Sequence, residues 1–429
     1  MVTSVACNAQ SIPYPSLFGA EILDLRADPV TNYSMVSIVT HDWTKTEFFG
    51  LDFCNITVEY THPGLDDHIT VVILLPDHQK WNGRFQGTGG GGWSAISHVA
   101  TLNNFGSVAF HDMTVIGKTG CSQGGRQGNM MAQRYPDDSD GILAIAPAIN
   151  YGELMPTLYW PQQVMNDIGS HPPQCKITAI TTAAISACDN LDGVVDQIIS
   201  VPERCNFDPL SMVGQTIGCN GSNSTISLAA AQTVQASYTG PRGTDGSFLW
   251  YGYEKGVNLA VLTDISCRAY SKCTSTPGNL PQYNSVIGTN DPDISTCRDN
   301  GEKLLIWHGL VDSLIPPKGT TNYHARVRAL DRNVDEYFRL FLAPGTEHCF
   351  PGSGPYPSSA MEALVQWTEQ GIAPEYLRGI NLTNVDPATG DGRPICLFPR
   401  TQEYIGGDIS IMSSLRCTTP KFNSEPSGS

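Results

Sequence analysis

The sequence predicts an α/β protein, and three stretches of the 429-residue chain lead to this prediction. Residues 303–309 form an apolar run typical of a buried strand, and the run leads directly into a loop that contains Asp312. Residues 337–342 form a second strand-like run, which a Pro-Gly turn ends before His348. The third stretch, residues 120–124, has the Gly-x-Ser-x-Gly spacing of a tight turn from a strand into a helix.

Further strands and a helix are predicted around this turn. Residues 53–60 and 69–75 are strand-like runs bounded by Pro-containing turns. Residues 113–116 are β-prone and could form the strand that enters the turn. After the turn, residues 127–134 have a helical pattern and residues 142–146 form the next strand-like run.

The middle of the chain differs in pattern from its two ends. From residue 150 to about 278 helical runs predominate, for example at 177–187 and 228–236, and we interpret this segment as an inserted lid. The predicted organisation is a catalytic domain in two parts, residues 1–150 and 285–429, separated by a lid domain, residues 151–284.

Ser122 lies at the tip of the Gly-x-Ser-x-Gly turn, where glycines permit a backbone that larger side chains would strain. A hydroxyl presented in this way can attack an ester carbonyl. The backbone N–H of Gln123, at the start of the next helix, could stabilise the resulting oxyanion. In a chain with 42 glycines the short pattern is equally compatible with an ordinary turn, so its interpretation depends on the loops that follow.

The candidate catalytic residues occur in the order serine, aspartate, histidine, with the last two in loops that follow strands. This is the α/β-hydrolase arrangement rather than that of chymotrypsin or subtilisin. In this interpretation His348 takes the proton of Ser122, and Asp312 fixes the imidazole tautomer. The alternatives are a surface histidine and an aspartate that caps a turn. Asp331 and Asp335 are weaker candidates for the acid.

These motifs resemble those of the fungal tannase and feruloyl esterase family, and the resemblance extends over nearly the whole chain. It is found in the segments at residues 87–93, 120–128, 134–142, 287–293 and 307–312. The resemblance implies an α/β-hydrolase fold with an inserted lid domain and the triad Ser122, Asp312 and His348. It also implies that Gly90 and Gly91 belong to a second oxyanion-hole loop, for which the alternative is a flexible loop.

The resemblance also implies disulfide bonds. Cys121 precedes the candidate nucleophile and Cys349 follows the candidate base, so a bond between them would tie the two loops together. The other implied pairs are Cys7 with Cys54, Cys188 with Cys205, and Cys396 with Cys417. The partners of Cys175, Cys219, Cys267, Cys273 and Cys297 stay open, and the odd count of 13 cysteines leaves at least one thiol.

By comparison with the family pattern, some core segments of the hydrolase fold are missing from this chain. The chain is shorter than the family pattern at residues 93–103, 118–120 and 273–282. In the family, the stretch that corresponds to residues 113–116 is helical, which conflicts with its β propensity here. A sheet without its central strand would leave the nucleophile unsupported, so a catalytically inactive remnant is an alternative interpretation.

A second cluster of polar residues lies at residues 188–198, where Asp189, Asp192 and Asp196 surround a glycine. Calcium prefers several oxygen ligands, but the spacing departs from the EF-hand pattern, and composition alone is as compatible with a solvated acidic turn. The family resemblance implies a structural calcium ion bound by these three carboxylates and by the carbonyls of Val194 and Ile198.

Composition restricts the compartment and the partners. A formal charge of −16 argues against nucleic acid and anionic membranes, because both require basic surfaces. No apolar stretch approaches the length of a membrane span, and the N-terminus lacks the pattern of a signal peptide. The cysteines and five glycosylation sequons nevertheless predict an oxidising, secretory environment. The sequons begin at Asn32, Asn55, Asn220, Asn223 and Asn381.

The expected function is that of a secreted serine carboxylic ester hydrolase. The expected substrates are aromatic esters of the feruloyl (hydroxycinnamoyl) type, either small molecules or linked to plant cell-wall polysaccharide. Cleavage would proceed through an acyl-enzyme. A tannase that acts on gallate esters is the principal alternative, and a peptidase is less favoured because the cysteine-flanked triad resembles esterases.

Overall fold

The computed structural model describes residues 6–37, 46–77, 79–81, 83–88, 117–263, 284–380 and 392–419. The described residues belong to two compact units, one up to Gln86 and one from Gly87 onward. None of the described helices combines the length and the apolar character needed to cross a bilayer.

The described strands and helices are numbered in chain order. The strands are β1 (Glu21–Ser37), β2 (Thr46–Thr61), β3 (Ile69–Pro76), β4 (Gln86–Thr88), β5 (Gly117–Cys121), β6 (Gly141–Ile145), β7 (Thr216–Cys219), β8 (Ser222–Thr225), β9 (Lys303–Gly309), β10 (Phe338–Ala343), β11 (Tyr356–Pro357), β12 (Tyr376–Ile380), β13 (Arg393–Cys396), β14 (Thr401–Tyr404) and β15 (Leu415–Thr418). The α-helices are α1 (Gln123–Arg134), α2 (Tyr151–Ile168), α3 (Gln174–Cys188), α4 (Leu228–Thr239), α5 (Ala260–Thr263), α6 (Asn284–Ile287), α7 (Ser295–Asp299), α8 (Pro317–Leu330) and α9 (Ala360–Gln370).

The first unit contains a three-stranded antiparallel sheet in the order β1-β2-β3. Both strands predicted in this part of the chain are confirmed, within β2 and β3. A disulfide joins Cys7 to Cys54 of β2, with the two Cα atoms 5.5 Å apart, and so attaches the N-terminal segment to the sheet.

The second unit is built on a five-stranded sheet in the order β10-β9-β6-β5-β4. The strands β5, β6, β9 and β10 run parallel to one another. Every residue of β6 is buried, as expected for a strand inside a parallel sheet with both faces covered. The carboxyl ends of parallel strands meet at one edge of a sheet, so the loops after β5, β9 and β10 are brought together there. The predicted α/β-hydrolase fold class is confirmed.

The strand that leads into the serine turn is β5, which pairs with β6 along its whole length. This pairing supplies the strand whose absence the sequence comparison suggested. The β-prone residues 113–116 lie outside the described residues. The other two stretches that are shorter than the family pattern, residues 93–103 and 273–282, also lie outside the described residues.

Helix α1 begins at Gln123, where the serine turn placed the helix start, four residues before the helical run predicted at 127–134. The first turn of α1 is rich in glycine, which has a low helix propensity, so the helical pattern of the sequence becomes recognisable only from residue 127. Packing explains the glycines, because α1 lies against β5 and β6. Part of the core joins these elements to α8 and β10, and its buried members include Ala132, Ile142, Val327 and Leu340.

Residues 151–263 lie between β6 and β9 in sequence and are mainly helical, as predicted for the lid. The predicted helices at 177–187 and 228–236 are confirmed as parts of α3 and α4. Helix α4 begins after Ser227, whose side chain accepts a hydrogen bond from the N–H of Ala230, and it ends at Gly240. The apolar faces of α3 and α4 pack together in a separate buried cluster.

Three further disulfides stabilise the second unit away from the serine turn. Cys188–Cys205 and Cys396–Cys417 are those that the resemblance implied, with Cα separations of 5.4 and 5.5 Å. Cys175–Cys219 ties α3 to the hairpin of β7 and β8. Among the described residues Cys297 is a buried free thiol, which agrees with the odd cysteine count.

Candidate active site

Ser122 occupies the turn between β5 and α1 in a strained conformation. Its φ of 61° and ψ of −115° lie where residues other than glycine are rarely found. Backbone hydrogen bonds to residues after and at the end of β6 hold this conformation. The N–H of Ser122 donates to the carbonyl of Ile145 at 2.9 Å, and its carbonyl accepts from the N–H of Ala148 at 3.2 Å. The strain is typical of a nucleophile elbow.

The glycines around Ser122 are required by close backbone contacts. A Cβ atom on Gly125 would lie 2.6 Å from the carbonyl oxygen of Ile145, closer than atoms in van der Waals contact. A Cβ atom on Gly120 would collide with the backbone of Gly124. These positions therefore let α1 approach the sheet closely enough to form the turn.

Asp312 and His348 meet in the loops that follow β9 and β10. The Nδ1 atom of His348 lies 2.7 Å from Oδ2 of Asp312. Both residues are buried, with Asp312 completely so. Because Nδ1 is engaged by the carboxylate, Nε2 is the nitrogen left to exchange a proton with another group.

The carboxylate of Asp312 accepts hydrogen bonds at both oxygens. Its Oδ1 accepts from the N–H groups of Leu314 and Ile315, each at 2.8 Å, and its Oδ2 also lies 3.1 Å from Nε2 of His308. Burial alone would raise the pKa of Asp312, but the charge of His348 and the hydrogen bonds from His308 and His348 hold it well below its usual range. Asp312 is therefore an anion at neutral pH.

A disulfide between Cys121 and Cys349 joins the loop of the serine to the loop of the histidine, with the Cα atoms 6.1 Å apart. A ring nitrogen of His348 lies within 4.8 Å of both sulfur atoms. The group has the residue types of a metal site, but its sulfurs are bonded to each other and are not thiolates. Its effect is to hold His348 next to the residue that precedes Ser122.

The structure describes one of the three predicted oxyanion-hole residues. Gln123 begins α1, so its backbone N–H belongs to the first turn and has no acceptor within the helix. Its side chain is turned to Arg126, whose Nε donates to Oε1 at 2.8 Å. Gly90 and Gly91 lie outside the described residues.

The two weaker acid candidates are engaged elsewhere. Asp331 pairs with Arg298 at 2.8 Å, and Asp335 pairs with Arg328. Asp312 is thus the candidate carboxylate that meets the histidine.

The acidic loop, defined as residues 189–198, is closed by hydrogen bonds from its own backbone. Oδ1 of Asp189 accepts from the N–H groups of Asp196 and Ile198 at 3.0 and 3.2 Å. Oδ1 of Asp192 accepts from the N–H of Val194 at 3.0 Å. Three carboxylates and several carbonyls therefore lie on one short turn, and such oxygen donors are the ligands that calcium prefers.

One carboxylate of the acidic loop also has a cationic partner. Asp196 forms an ion pair with Arg393. Burial raises the pKa of Asp196, the contact with Arg393 opposes this, and the charge of Asp192 adds to the rise. Within the described residues the carboxylates of the three aspartates do not converge to within 4.8 Å of one another. The chemistry of the donors fits calcium, and a cation here would compensate a buried negative charge.

Comparisons with known proteins agree with the fold. A sequence model described as tannase and feruloyl esterase matches residues 118–264 and 253–418. A probable feruloyl esterase of Arthroderma benhamiae is 33% identical over 460 residues, which cover 86% of each protein. The tannase of Aspergillus oryzae is 24% identical over 494 residues, covering 83% of this chain and 84% of the tannase.

Two solved structures resemble the fold over almost their whole length. The tannin acyl hydrolase from Aspergillus niger has a TM-score of 0.79 at 21% identity, covering 97% of this chain and 96% of that one. Feruloyl esterase B from Aspergillus oryzae has a TM-score of 0.74 at 22% identity, covering 94% of this chain and 98% of that one. The fold and the relatives together define a carboxylic ester hydrolase.

The chain belongs to the tannase and feruloyl esterase family. One residue of the site, His308, was missed by sequence reasoning, which placed it in a buried strand and gave it no role. The signal that could have identified it is a titratable side chain within an otherwise apolar run that ends beside Asp312.

Proposed function

We propose that the protein is a serine esterase in which Ser122 is the nucleophile, His348 the general base and Asp312 the acid of a catalytic triad. The observation that supports this most directly is the 2.7 Å contact between His348 Nδ1 and Asp312 Oδ2, next to the disulfide from Cys349 to Cys121. A buried carboxylate that orients a histidine, in a loop tied by a disulfide to that of a strained serine, fits the arrangement that acyl transfer requires.

In the acylation step, Ser122 Oγ attacks the ester carbonyl carbon while Nε2 of His348 takes the hydroxyl proton. The negative charge of the tetrahedral intermediate develops on the former carbonyl oxygen, to which the N–H of Gln123 would donate. Collapse of the intermediate breaks the ester C–O bond. The leaving alcohol receives the proton from His348, and the acyl group stays on Ser122.

In the deacylation step, His348 takes a proton from water, and the hydroxide attacks the acyl-enzyme. The C–O bond to Ser122 breaks, the serine recovers its proton, and the carboxylic acid leaves. Asp312 remains ionised throughout, because its role is to stabilise the imidazolium rather than to accept a proton.

The substrates that we propose are feruloyl-type esters of plant cell-wall material. The support is the higher identity to a probable feruloyl esterase, 33%, than to a tannase, 24%. Gallate esters are the alternative, since the same family includes tannases.

The test is hydrolysis of methyl ferulate and methyl gallate by the purified protein and by Ser122→Ala, with cooperative thermal unfolding checked for both. We expect the substitution to lower kcat by about a thousandfold or more, because it removes the nucleophile. The preferred ester identifies the substrate class. A folded wild-type protein that is inert on both esters, and that no fluorophosphonate labels, would instead be the inactive remnant.

We also propose that the acidic loop binds a structural calcium ion through the carboxylates of Asp189, Asp192 and Asp196 and the carbonyls of Val194 and Ile198. The ion would supply positive charge to the buried carboxylates and would cross-link the turn.

The unfolding temperature in calcium and in EDTA tests this proposal. We expect EDTA to lower the unfolding temperature of the wild type, and Asp192→Asn to abolish the difference. Asp245→Asn, at an exposed turn of the lid, is the matched control and should retain the response. Equal unfolding temperatures with and without EDTA, with no calcium found by elemental analysis, would refute the site.

For the compartment we propose secretion. The disulfides of the described residues support it, because such bonds persist in oxidising surroundings. Treatment of the protein from its native source with a glycosidase would reveal carbohydrate at the sequons as a loss of mass.

A further inference from the structure

Two histidines share one oxygen of Asp312. His308 lies in β9 and is completely buried, and its Nε2 is 3.1 Å from the same Oδ2 that meets Nδ1 of His348. The triad described above assigns a role to His348 but none to His308.

The neighbours of His308 determine where its ring proton lies. Its Nε2 faces two acceptors, Asp312 Oδ2 and, at 2.9 Å, the carbonyl of Ile315, so this nitrogen must carry a hydrogen. Its Nδ1 lies 2.9 Å from Oγ1 of Thr320. This hydroxyl is buried, and Nδ1 can accept its hydrogen. These contacts favour the tautomer that carries its hydrogen on Nε2 and accepts at Nδ1.

These contacts form a continuous chain of hydrogen bonds. The hydroxyl of Thr320 donates to His308 Nδ1, His308 Nε2 donates to Asp312 Oδ2, and His348 Nδ1 donates to the same oxygen. Acceptance at one nitrogen of an imidazole polarises the ring and strengthens donation from the other. Thr320 thus strengthens the hydrogen bond from His308 Nε2 to the carboxylate of Asp312.

The remaining surroundings of Asp312 make this donor important. Besides the two histidines and the backbone N–H groups, the described titratable residues whose charge interacts with Asp312 are Tyr253 and Glu347. Neither adds a positive charge. With the backbone N–H groups bound at Oδ1, the donor at His308 therefore helps to orient Oδ2 toward His348 and reduces the negative charge left on it.

We propose that His308 is a positioning residue, whose N–H fixes the carboxylate of Asp312 and limits the negative charge that His348 experiences. The inference depends on the proposed triad. Because His308 is completely buried, its removal should lower kcat and leave KM nearly unchanged. Loss of its N–H concentrates charge on Oδ2 and stabilises the imidazolium of His348, so the acid limb of kcat/KM should move to higher pH.

The test compares two amide substitutions. In His308→Gln the amide nitrogen can reach the place of Nε2 and donate to Asp312, whereas the shorter His308→Asn can reach only the place of Nδ1. We expect His308→Asn to lower kcat by about ten- to a hundredfold and to shift the acid limb upward. We expect His308→Gln to recover most of this loss and to restore the pH profile.

A control for burial is His324→Asn, since His324 is also a buried histidine but packs between Phe338 and Phe398. It should lower the unfolding temperature without moving the pH profile. If His308→Asn does not fold, Thr320→Val provides the second test, because it weakens the same chain and should shift the acid limb in the same direction by a smaller amount.

The proposal is overturned if folded His308→Asn keeps the wild-type kcat and pH profile, or if His308→Gln is as impaired as His308→Asn. A wild-type position of the acid limb in Thr320→Val would also overturn it where His308→Asn does not fold. If the wild-type protein has no serine-dependent turnover, the proposed function fails separately. The downfield proton resonance of His348 Nδ1–H then serves as the readout, and an unchanged shift in His308→Asn contradicts the proposal.

Discussion

The hydroxyl of Ser139 donates a hydrogen bond to Oε1 of Glu302, and both residues are buried at the base of the central sheet. The other oxygen of Glu302, Oε2, has no hydrogen-bond partner within the described residues. Burial raises the pKa of Glu302 to about 7, and the charges of Asp140 and Asp138 add to the rise, although hydrogen bonds from Ser139 and Cys297 oppose it. This carboxyl is therefore largely protonated in the folded protein below neutral pH.

The first prediction concerns stability and pH. In the unfolded chain Glu302 titrates near its ordinary value of 4.5. Its protonated form therefore contributes fully to the free energy of unfolding below that pH, and this contribution is lost as the pH rises toward about 7, because the unfolded chain releases the proton first. The free energy of unfolding should fall over this interval by about 3 kcal/mol from this group. Glu302→Gln should remove that part of the fall, as measured by urea unfolding from pH 4.5 to 8. Glu362 is exposed, so Glu362→Gln should keep the full fall in stability with pH. If Glu302→Gln also keeps it, the raised pKa of Glu302 is not its cause.

The second prediction concerns the identity of the acid. Asp312→Asn keeps the shape of the side chain but favours the wrong tautomer of His348, and we expect kcat to fall about ten-thousandfold. Asp335→Asn alters the other carboxylate near a buried histidine, His324, and should leave kcat within about threefold of the wild type. Steady-state hydrolysis of the preferred ester distinguishes them. Similar losses in both variants would mean that Asp312 has no special role.

The third prediction concerns the turn that carries Ser122, the proposed nucleophile. In Gly125→Ala the new methyl group meets the carbonyl of Ile145, so α1 must move away from the sheet. We expect a loss of about 1 to 3 kcal/mol in the free energy of unfolding and about a hundredfold in kcat. Gly218→Ala is the control, because a methyl group there meets open space. Wild-type turnover by Gly125→Ala would show that the close contact does not position Ser122.

The fourth prediction concerns the disulfide between Cys121 and Cys349. We compare a double alanine variant of this pair with the same change at Cys396 and Cys417. Each variant should lose about 2 to 5 kcal/mol of stability. Only the first should also lose kcat, by about ten- to a hundredfold, because its bond joins the loops of the proposed catalytic residues Ser122 and His348. Equal kcat in the two variants would assign the Cys121–Cys349 bond a purely stabilising role.

Sequence patterns predicted three of the four parallel strands, β6, β9 and β10, because the cause of these strands is local, but they did not predict β5. The runs at β6, β9 and β10 are apolar at almost every position, and such runs are buried wherever they fold. The turn at Ser122 could also be predicted from the sequence, since its glycines are required by contacts that recur in elbows of this type.

Two features could not be read from local pattern because they depend on contacts between distant residues. The first turn of α1 forms despite its glycines, because its packing against β5 and β6 outweighs helix propensity. The ion pair of Asp196 with Arg393 joins residues 197 positions apart, and no spacing rule in the acidic loop predicts it.

The bond between Cys121 and Cys349 spans 228 residues of sequence. During synthesis the serine loop leaves the ribosome long before its partner cysteine exists, and the strands that carry the aspartate and the histidine are also still to come. The proposed nucleophile and base therefore come together only after β10 has been synthesised. The order of synthesis thus separates the formation of the serine turn from the assembly of the complete site.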